Sequence, residues 1–358
     1  MTVPALPGVL SAADVTRTAD AVARVQERDG AVPLTAGGTT DAWNHVEAAM
    51  ALLVGGRPDA AHRAYEWCLA TQRPDGSWPM TVRAGVVEDA STETNMSAYL
   101  AVGVWHHWLV CRDAAFVRRC WPAVRRALDL VAALQQGFGG IAWVRQADGR
   151  VDEGALLAGS SSILQALRAG VALADLLDRP QPEWELCAGR LVHALRRHRD
   201  RFLDKSSYSM DWYYPVLGGA VRGAEGRALL ASRWDDFVVP GLGIRCVDTN
   251  PWVTGAETCE LALALDAVGD RVRALALVRD MQHLRDDDGG YWTGYVYPDR
   301  LRWPVEHTTY TAAAVLLAVD ALSGATPGTD LFRGASLPAV AEIATGCGCR
   351  GVLSAVGS

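Results

Sequence analysis

The sequence predicts an all-α chain made of a repeated pair of helices, and three observations carry that prediction. Apolar residues recur at helical spacing along nearly the whole of the 358 residues, while alternating, strand-like segments are almost absent. The stretch RAYEWCLATQRPDGSW at 63–78 returns as RALALVRDMQHLRDDDGGYW at 273–292, and a weaker copy runs from Arg126 and Ala127 through Gln135 and Gln136 to Gly140 and Trp143. Connections alternate between long, Gly- and Pro-rich ones, such as 75–90 and 286–305, and short ones, such as 55–58 and 267–271. A unit that returns in this way cannot bury its apolar face alone and stacks on its neighbours.

The periodicity places twelve helices, in chain order at 12–28, 41–54, 59–72, 92–110, 114–136, 158–177, 183–202, 210–218, 224–234, 255–268, 271–284 and 306–322. They pair as six hairpins. The first member of several pairs carries an Arg-Ala step (Arg63, Arg126, Arg227, Arg273) and is richer in Arg, as suits a helix with one wet face. The second member is more apolar and Ala-rich, as suits a helix covered on all sides. The long connections lead from first to second members, so the site is expected at the end where the second, inner helices begin. Residues 1–327 read as one domain, and 328–358 as a short appended helix or a loose tail.

The repeated motif has a readable physical logic. A Gln amide at a helix end can bond backbone groups that the helix leaves unpaired, while a Trp packs over the following turn. Gln72 and Gln282 are therefore expected to bond backbone, and Trp78 and Trp292 to cover the turns of the outer ring. The motif resembles the QW repeat of the terpene cyclase and protein prenyltransferase superfamily. That resemblance implies an α/α toroid of six hairpins, two concentric rings of helices, and a central cavity that handles an isoprenoid.

Composition narrows the partners. The net charge is −7, and Lys205 is the single Lys beside many Arg, so no global field draws nucleic acid or an anionic membrane. Eight scattered cysteines, mostly inside apolar helices, point to a reducing cytoplasm. The N-terminus lacks a basic and then apolar leader, and no uninterrupted apolar run of about twenty residues suggests a membrane span.

Every inner helix is expected to begin in a polar or aromatic cluster. The clusters are Asp41, Trp43, Asn44 and Glu47; Asp89, Glu93, Asn95 and Tyr99; Glu153 with Ser160–Ser162; Asp211, Trp212 and Tyr213; Asp248, Asn250, Trp252 and Glu257; and Glu306, His307 and Tyr310. Each Asp, Ser or Thr also serves as a helix cap, and an early Glu answers the helix dipole. Aromatics beside carboxylates suit a pocket that holds a ring against acid and base groups. His106 and His107, on an apolar helix, read as core residues, and Cys347 and Cys349 are too closely spaced for a zinc knuckle.

The segment 289–322 resembles the last repeat of prenyltransferase β-subunits, through Gly289-Gly290 and His307-Thr308-Thr309-Tyr310, and CVDTNPWVTG at 246–255 resembles their Asp-x-Cys segment. The resemblance implies Asp248 and His307 as metal ligands, with Cys246 as a weak third. Asn250 stands where the family has its Cys, so no zinc is expected; magnesium has no paired acidic motif to hold it. On this reading Asp248, His307, Tyr310, Glu257 and Asp211 are catalytic, Trp43, Glu93, Asn95, Trp212 and Trp252 bind substrate, and Arg302 meets a diphosphate. The alternative is a carbohydrate-active hydrolase or epimerase, with carboxylates at the toroid mouth roughly 5 to 9 Å apart drawn from Asp41, Glu93, Asp211 and Glu257. A third reading is a scaffold without catalysis.

Overall fold

The computed structural model describes residues 2–344. Outer helix α1 (Ala12–Val25) is followed by inner helix α2 (Ala42–Val54), and α3 (Pro58–Thr71) by the broken inner helix α4 (Thr94–Ala98) and α5 (Leu100–Cys111). The next pairs are α6 (Ala114–Ala133) with α7 (Leu157–Leu176), and α8 (Pro182–Arg197) with α9 (Ser209–Leu217). Helix α10 (Gly223–Ser232) leads through the short α11 (Trp234–Phe237) to α12 (Gly255–Ala267), and α13 (Arg271–Asp280) pairs with α14 (Thr309–Ser323). The inner helices touch in the order α2, α5, α7, α9, α12, α14 and back to α2, which closes the ring. The predicted toroid is the fold.

Patterning explains the two rings. Eleven of the thirteen residues of α2 are buried, because it is covered on every side. In α1 only Val15, Thr18, Ala19 and Val22 are buried, one stripe facing inward, and Ser11 starts the helix with a capping box to Asp14.

The repeated turns join the outer helices. Gln72 donates one amide to Gly76 O (2.9 Å) and to Ala123 O of the next outer helix (2.8 Å), and Trp78, buried, donates to Cys68 O (3.1 Å). Gly76 sits at φ +94°, and a Cβ there would lie 2.3 Å from Arg126 O. Only glycine permits that approach. The same docking recurs where Gly30, Gly139 and Gly289 rest on the carbonyls of Arg63, Arg190 and Arg17. Gln26 and Gln135 bond across in the manner of Gln72. The Arg-Ala steps at Arg63 and Arg126 therefore mark where a neighbouring turn lands, and the other two turns land on Arg190 and Arg17, which no Ala follows.

In the last turn the register differs from the expected one. Counted from Gly289, the place of Trp78 belongs to Tyr291 and that of Gln72 to Arg285, as the matching bridges Gln135↔Ile141 and Arg285↔Tyr291 show. Tyr291 is fully buried and donates to Gln282 (2.7 Å), whose own amide donates to Val278 O (2.8 Å). Trp292 is only partly buried.

The long connections hold more strand than the sequence predicts. β1 (Thr81–Arg83) and β2 (Val86–Asp89) form a hairpin, β3 (Thr92–Glu93) pairs with β4 (Val144–Arg145), and β5 (Val238–Val239), β6 (Gly243–Arg245), β7 (Trp252–Thr254), β8 (Gly294–Val296) and β9 (Leu301–Arg302) make an antiparallel sheet in that order. These strands are two to four residues long, too short for an alternation to register.

The expected boundary at 327 falls at the start of the 3-10 turn Pro327–Thr329. Beyond it α15 (Asp330–Arg333) and the chain to 344 lie across the end where the inner helices finish. Arg333 bonds Asp266 and Ala321 O, Arg168 bonds Pro338 O, and Ile343 N bonds Gly189 O. Cys347 and Cys349 lie outside the described residues. Helix α7 is long and apolar enough to cross a membrane, but 89% of its apolar window is buried as an inner helix.

Candidate active site

Opposite that covered end, the starts of the inner helices bring an aromatic and carboxylate cluster together. Trp43, in the first turn of α2, lies at its centre, with ring centroids 5.9 Å from Tyr99, 6.4 Å from Tyr214 and 5.6 Å from Tyr310. Asp41 caps α2, accepting from Asn44 N (2.9 Å) and from the Asn44 side chain (2.6 Å). Glu93 caps α4, accepting from Asn95 N (3.3 Å) and Met96 N (2.8 Å). Burial outweighs these bonds: it raises the Asp41 pKa and pushes that of Glu93 up to about 7, with Asp41 adding repulsion to Glu93. Asp41 and Trp43 nevertheless keep accessible surface, as groups lining a pit do.

Deeper in the ring, Glu260 accepts from the hydroxyls of Tyr213 and Tyr214 (2.7 Å for the latter). Burial raises the pKa of both Glu260 and its neighbour Glu47; Glu260 raises that of Glu47 further, and Glu257 that of Glu260. The Tyr213 and Tyr214 hydroxyls lower the Glu260 pKa against this burial, whereas the Glu47 carboxyl is raised well above the usual carboxylate range. Glu257 stands one turn before Glu260, partly buried, beside the Cys246 thiol and near Tyr310. Three acceptor atoms buried around this floor, Asn44 Oδ1, Glu47 Oε2 and Asn95 Oδ1, have no hydrogen-bond partner within the protein. Unsatisfied polar groups next to aromatic faces suit a ligand that is both ring-shaped and rich in hydroxyls.

The predicted clusters do not all meet here. Trp43, Glu93, Asn95, Tyr310 and Glu257 belong to this cluster. Asp211 instead accepts from Ala158 N (3.2 Å) and lines a separate cleft of about 450 Å³, where burial pushes its pKa up to about 6. Trp212 turns outward, stacked on Phe237 (5.2 Å) and donating to Leu229 O. Asp248 is paired with Arg233 (2.7 Å). His307 bonds Asp286 (2.7 Å), which also accepts from Trp292 (2.8 Å) and Arg302. Trp252 donates to Trp303 O (2.9 Å).

The implied metal and diphosphate roles fail for the same reason. Asp248 and His307 are each held by a different partner, Cys246 lies against Glu257, and Arg302 is held by Asp286 and His283 O. Among the described residues no three His, Cys, Asp or Glu are grouped to hold a metal ion. His107 is stacked on Phe116 and bonded to His62 (3.0 Å), and His106 is buried. Tyr214 and Glu260 escaped the sequence reading. A Glu inside the apolar run ETCELALALDA was the signal that could have found the latter.

No family model matches the chain. It is 54% identical over 347 residues, 97% of its length and 96% of the relative's, to the MMP endo-(1,4)-3-O-methyl-α-D-mannosidase of Mycolicibacterium hassiacum. The chain belongs to this mannosidase family. Solved structures agree on the fold. A wild-type glycosidase superposes with TM-score 0.70 at 16% identity, covering 87% of this chain and 98% of that one. A D-mannose isomerase gives 0.64 at 11%, covering 86% and 96%. A GH63 mannosylglycerate hydrolase from Thermus thermophilus, in complex with glucose, gives 0.62 at 15%, covering 85% and 99%.

Membership in a mannosidase family corrects the prenyltransferase reading and with it the isoprenoid or lipid-like substrate: this is a carbohydrate-active enzyme, a hydrolase and not a transferase. The misleading signal was the turn motif, which reports how outer helices dock in a toroid and nothing of its cavity.

Proposed function

We propose that this mannosidase-family enzyme hydrolyses internal α-(1,4) bonds in a chain of 3-O-methylated mannose residues, with Asp41 as proton donor and Glu257 as base. The near-full-length identity to an endo-mannosidase carries the proposal, and the burial of Asp41 and the position of Glu257 near Tyr310 support the roles. Burial keeps Asp41 protonated to higher pH than a free carboxyl, which is what a general acid needs. Glu257, partly exposed in the first turn of α12, suits a group that takes a proton from water. As the bond between the anomeric carbon and the glycosidic oxygen breaks, the Asp41 proton goes to the leaving 4-hydroxyl. The water oxygen bonds the anomeric carbon, and its proton goes to Glu257. Trp43 and Tyr310 offer the ring faces, and Asn44, Glu47 and Asn95 the polar contacts.

The six described cysteines are unpaired, as a reducing compartment leaves them, and we place the activity in the cytoplasm. Purified enzyme given a 3-O-methylated α-(1,4)-oligomannoside in ¹⁸O-water should release fragments of intermediate length, with ¹⁸O only on the fragment of each cut that carries the newly formed reducing end. Release of single terminal sugars alone, or no cleavage, contradicts the proposal.

A further inference from the structure

Eight of the eleven large apolar side chains left exposed among the described residues lie on the long connections at the mouth, and only three lie elsewhere. Two groups flank the proposed carboxylates. On the Asp41 side, Thr40 pairs with Val82, and so anchors the β1–β2 hairpin that exposes Val86 and Val87. On the Glu257 side, β7 runs directly into α12, which carries Glu257 in its first turn. Trp252 of that strand donates to Trp303 O (2.9 Å), and the two indoles meet edge to face at 5.3 Å. Trp303 remains 50% exposed, and Leu301 and Val305, at 52% and 82%, stand beside it in sequence. Apolar groups gathered on one rim mark a binding surface.

Resting on the function proposed above, we propose that Trp303, with Leu301 and Val305, forms a subsite that reads the 3-O-methyl groups of sugars outside the cleaved pair. Two facts select this occupant. The surface is continuous with the strand that positions Glu257, and an enzyme that cuts inside a chain must hold sugars beyond the cut. Methylation replaces a hydroxyl donor with an apolar group, which aromatic and aliphatic side chains accept and a hydroxyl does not match. The subsite therefore contributes selectivity for methylated over bare mannose chains, without touching the reacting atoms.

The test compares kcat/KM on methylated and unmethylated α-(1,4)-oligomannosides of equal length, for the wild type, Trp303→Ala, and a Leu301→Ser/Val305→Ser variant. The preference for the methylated chain should fall about tenfold in both variants, the scale of one apolar contact in a binding pocket. A folding defect lowers both rates together and leaves their ratio. Ratios within twofold of wild type in both variants overturn the subsite. So does self-association of the wild type that Trp303→Ala abolishes with the ratio unchanged, since the rim then meets a second copy. A wild type that cleaves neither chain removes the parent proposal first, and the subsite with it, before any variant is compared.

Discussion

Asp41 and Glu93 cap helices with the same carboxyl groups that stand beside each other in the central cluster, so a capping role and a functional one are not rivals at these positions. Their environment has a measurable consequence for folding. Burial raises the Glu93 pKa from 4.5 to about 7, so the native state binds a proton that the unfolded chain has already released in that range. The stabilisation is complete below about pH 4.5 and is lost as pH rises towards 7. Glu93→Gln, neutral at every pH, should flatten the fall of Tm across that window, and a wild-type slope in the variant would show that Glu93 is not the group that titrates. What the sequence made legible at this scale was the location of polar clusters beside aromatics, including Trp43, Glu93, Asn95, Glu257 and Tyr310. It did not separate these from Asp248, His307 and Trp212, because whether a side chain turns into the cavity or towards a neighbouring loop depends on partners distant in sequence, such as Arg233, Asp286 and Phe237.

Among the elements, the turns after the outer helices hold the ring of hairpins together. At Gly76 the backbone is left-handed and a Cβ would lie 2.3 Å from Arg126 O, whereas at Gly85, also left-handed, nothing lies within 4 Å. Gly76→Ala should therefore destabilise by roughly 3 kcal/mol or more, and Gly85→Ala by about 1 kcal/mol, since only the first adds a clash with backbone to the strain of positive φ. Equal losses in denaturant unfolding would remove the docking explanation. The helices were legible because inner and outer members differ in how much of their surface is apolar. The one-residue register of the last turn was not, because Trp292 offered the eye a match to Trp78 while Tyr291 makes the buried contact.

At the scale of the whole molecule, the toroid has one end covered and one end open. Residues 327–344 reach α5, α7, α8, α12 and α14 through Trp105, Arg168, Gly189, Asp266 and Ala321. Cutting the chain after residue 326 leaves Asp266 without Arg333 and uncovers Leu331's buried site. Scanning calorimetry should show Tm lower by about 5 °C or more, and an unchanged Tm would mean the segment contributes little. The open end carries the catalytic claim, and one experiment tests it most directly: kcat of Glu257→Gln and Asp41→Asn on the methylated oligomannoside, beside the affinity of each variant for the same chain. The account predicts kcat at least about a thousandfold lower in both, with Kd within a few-fold of wild type. Either variant turning over at near the wild-type rate contradicts it.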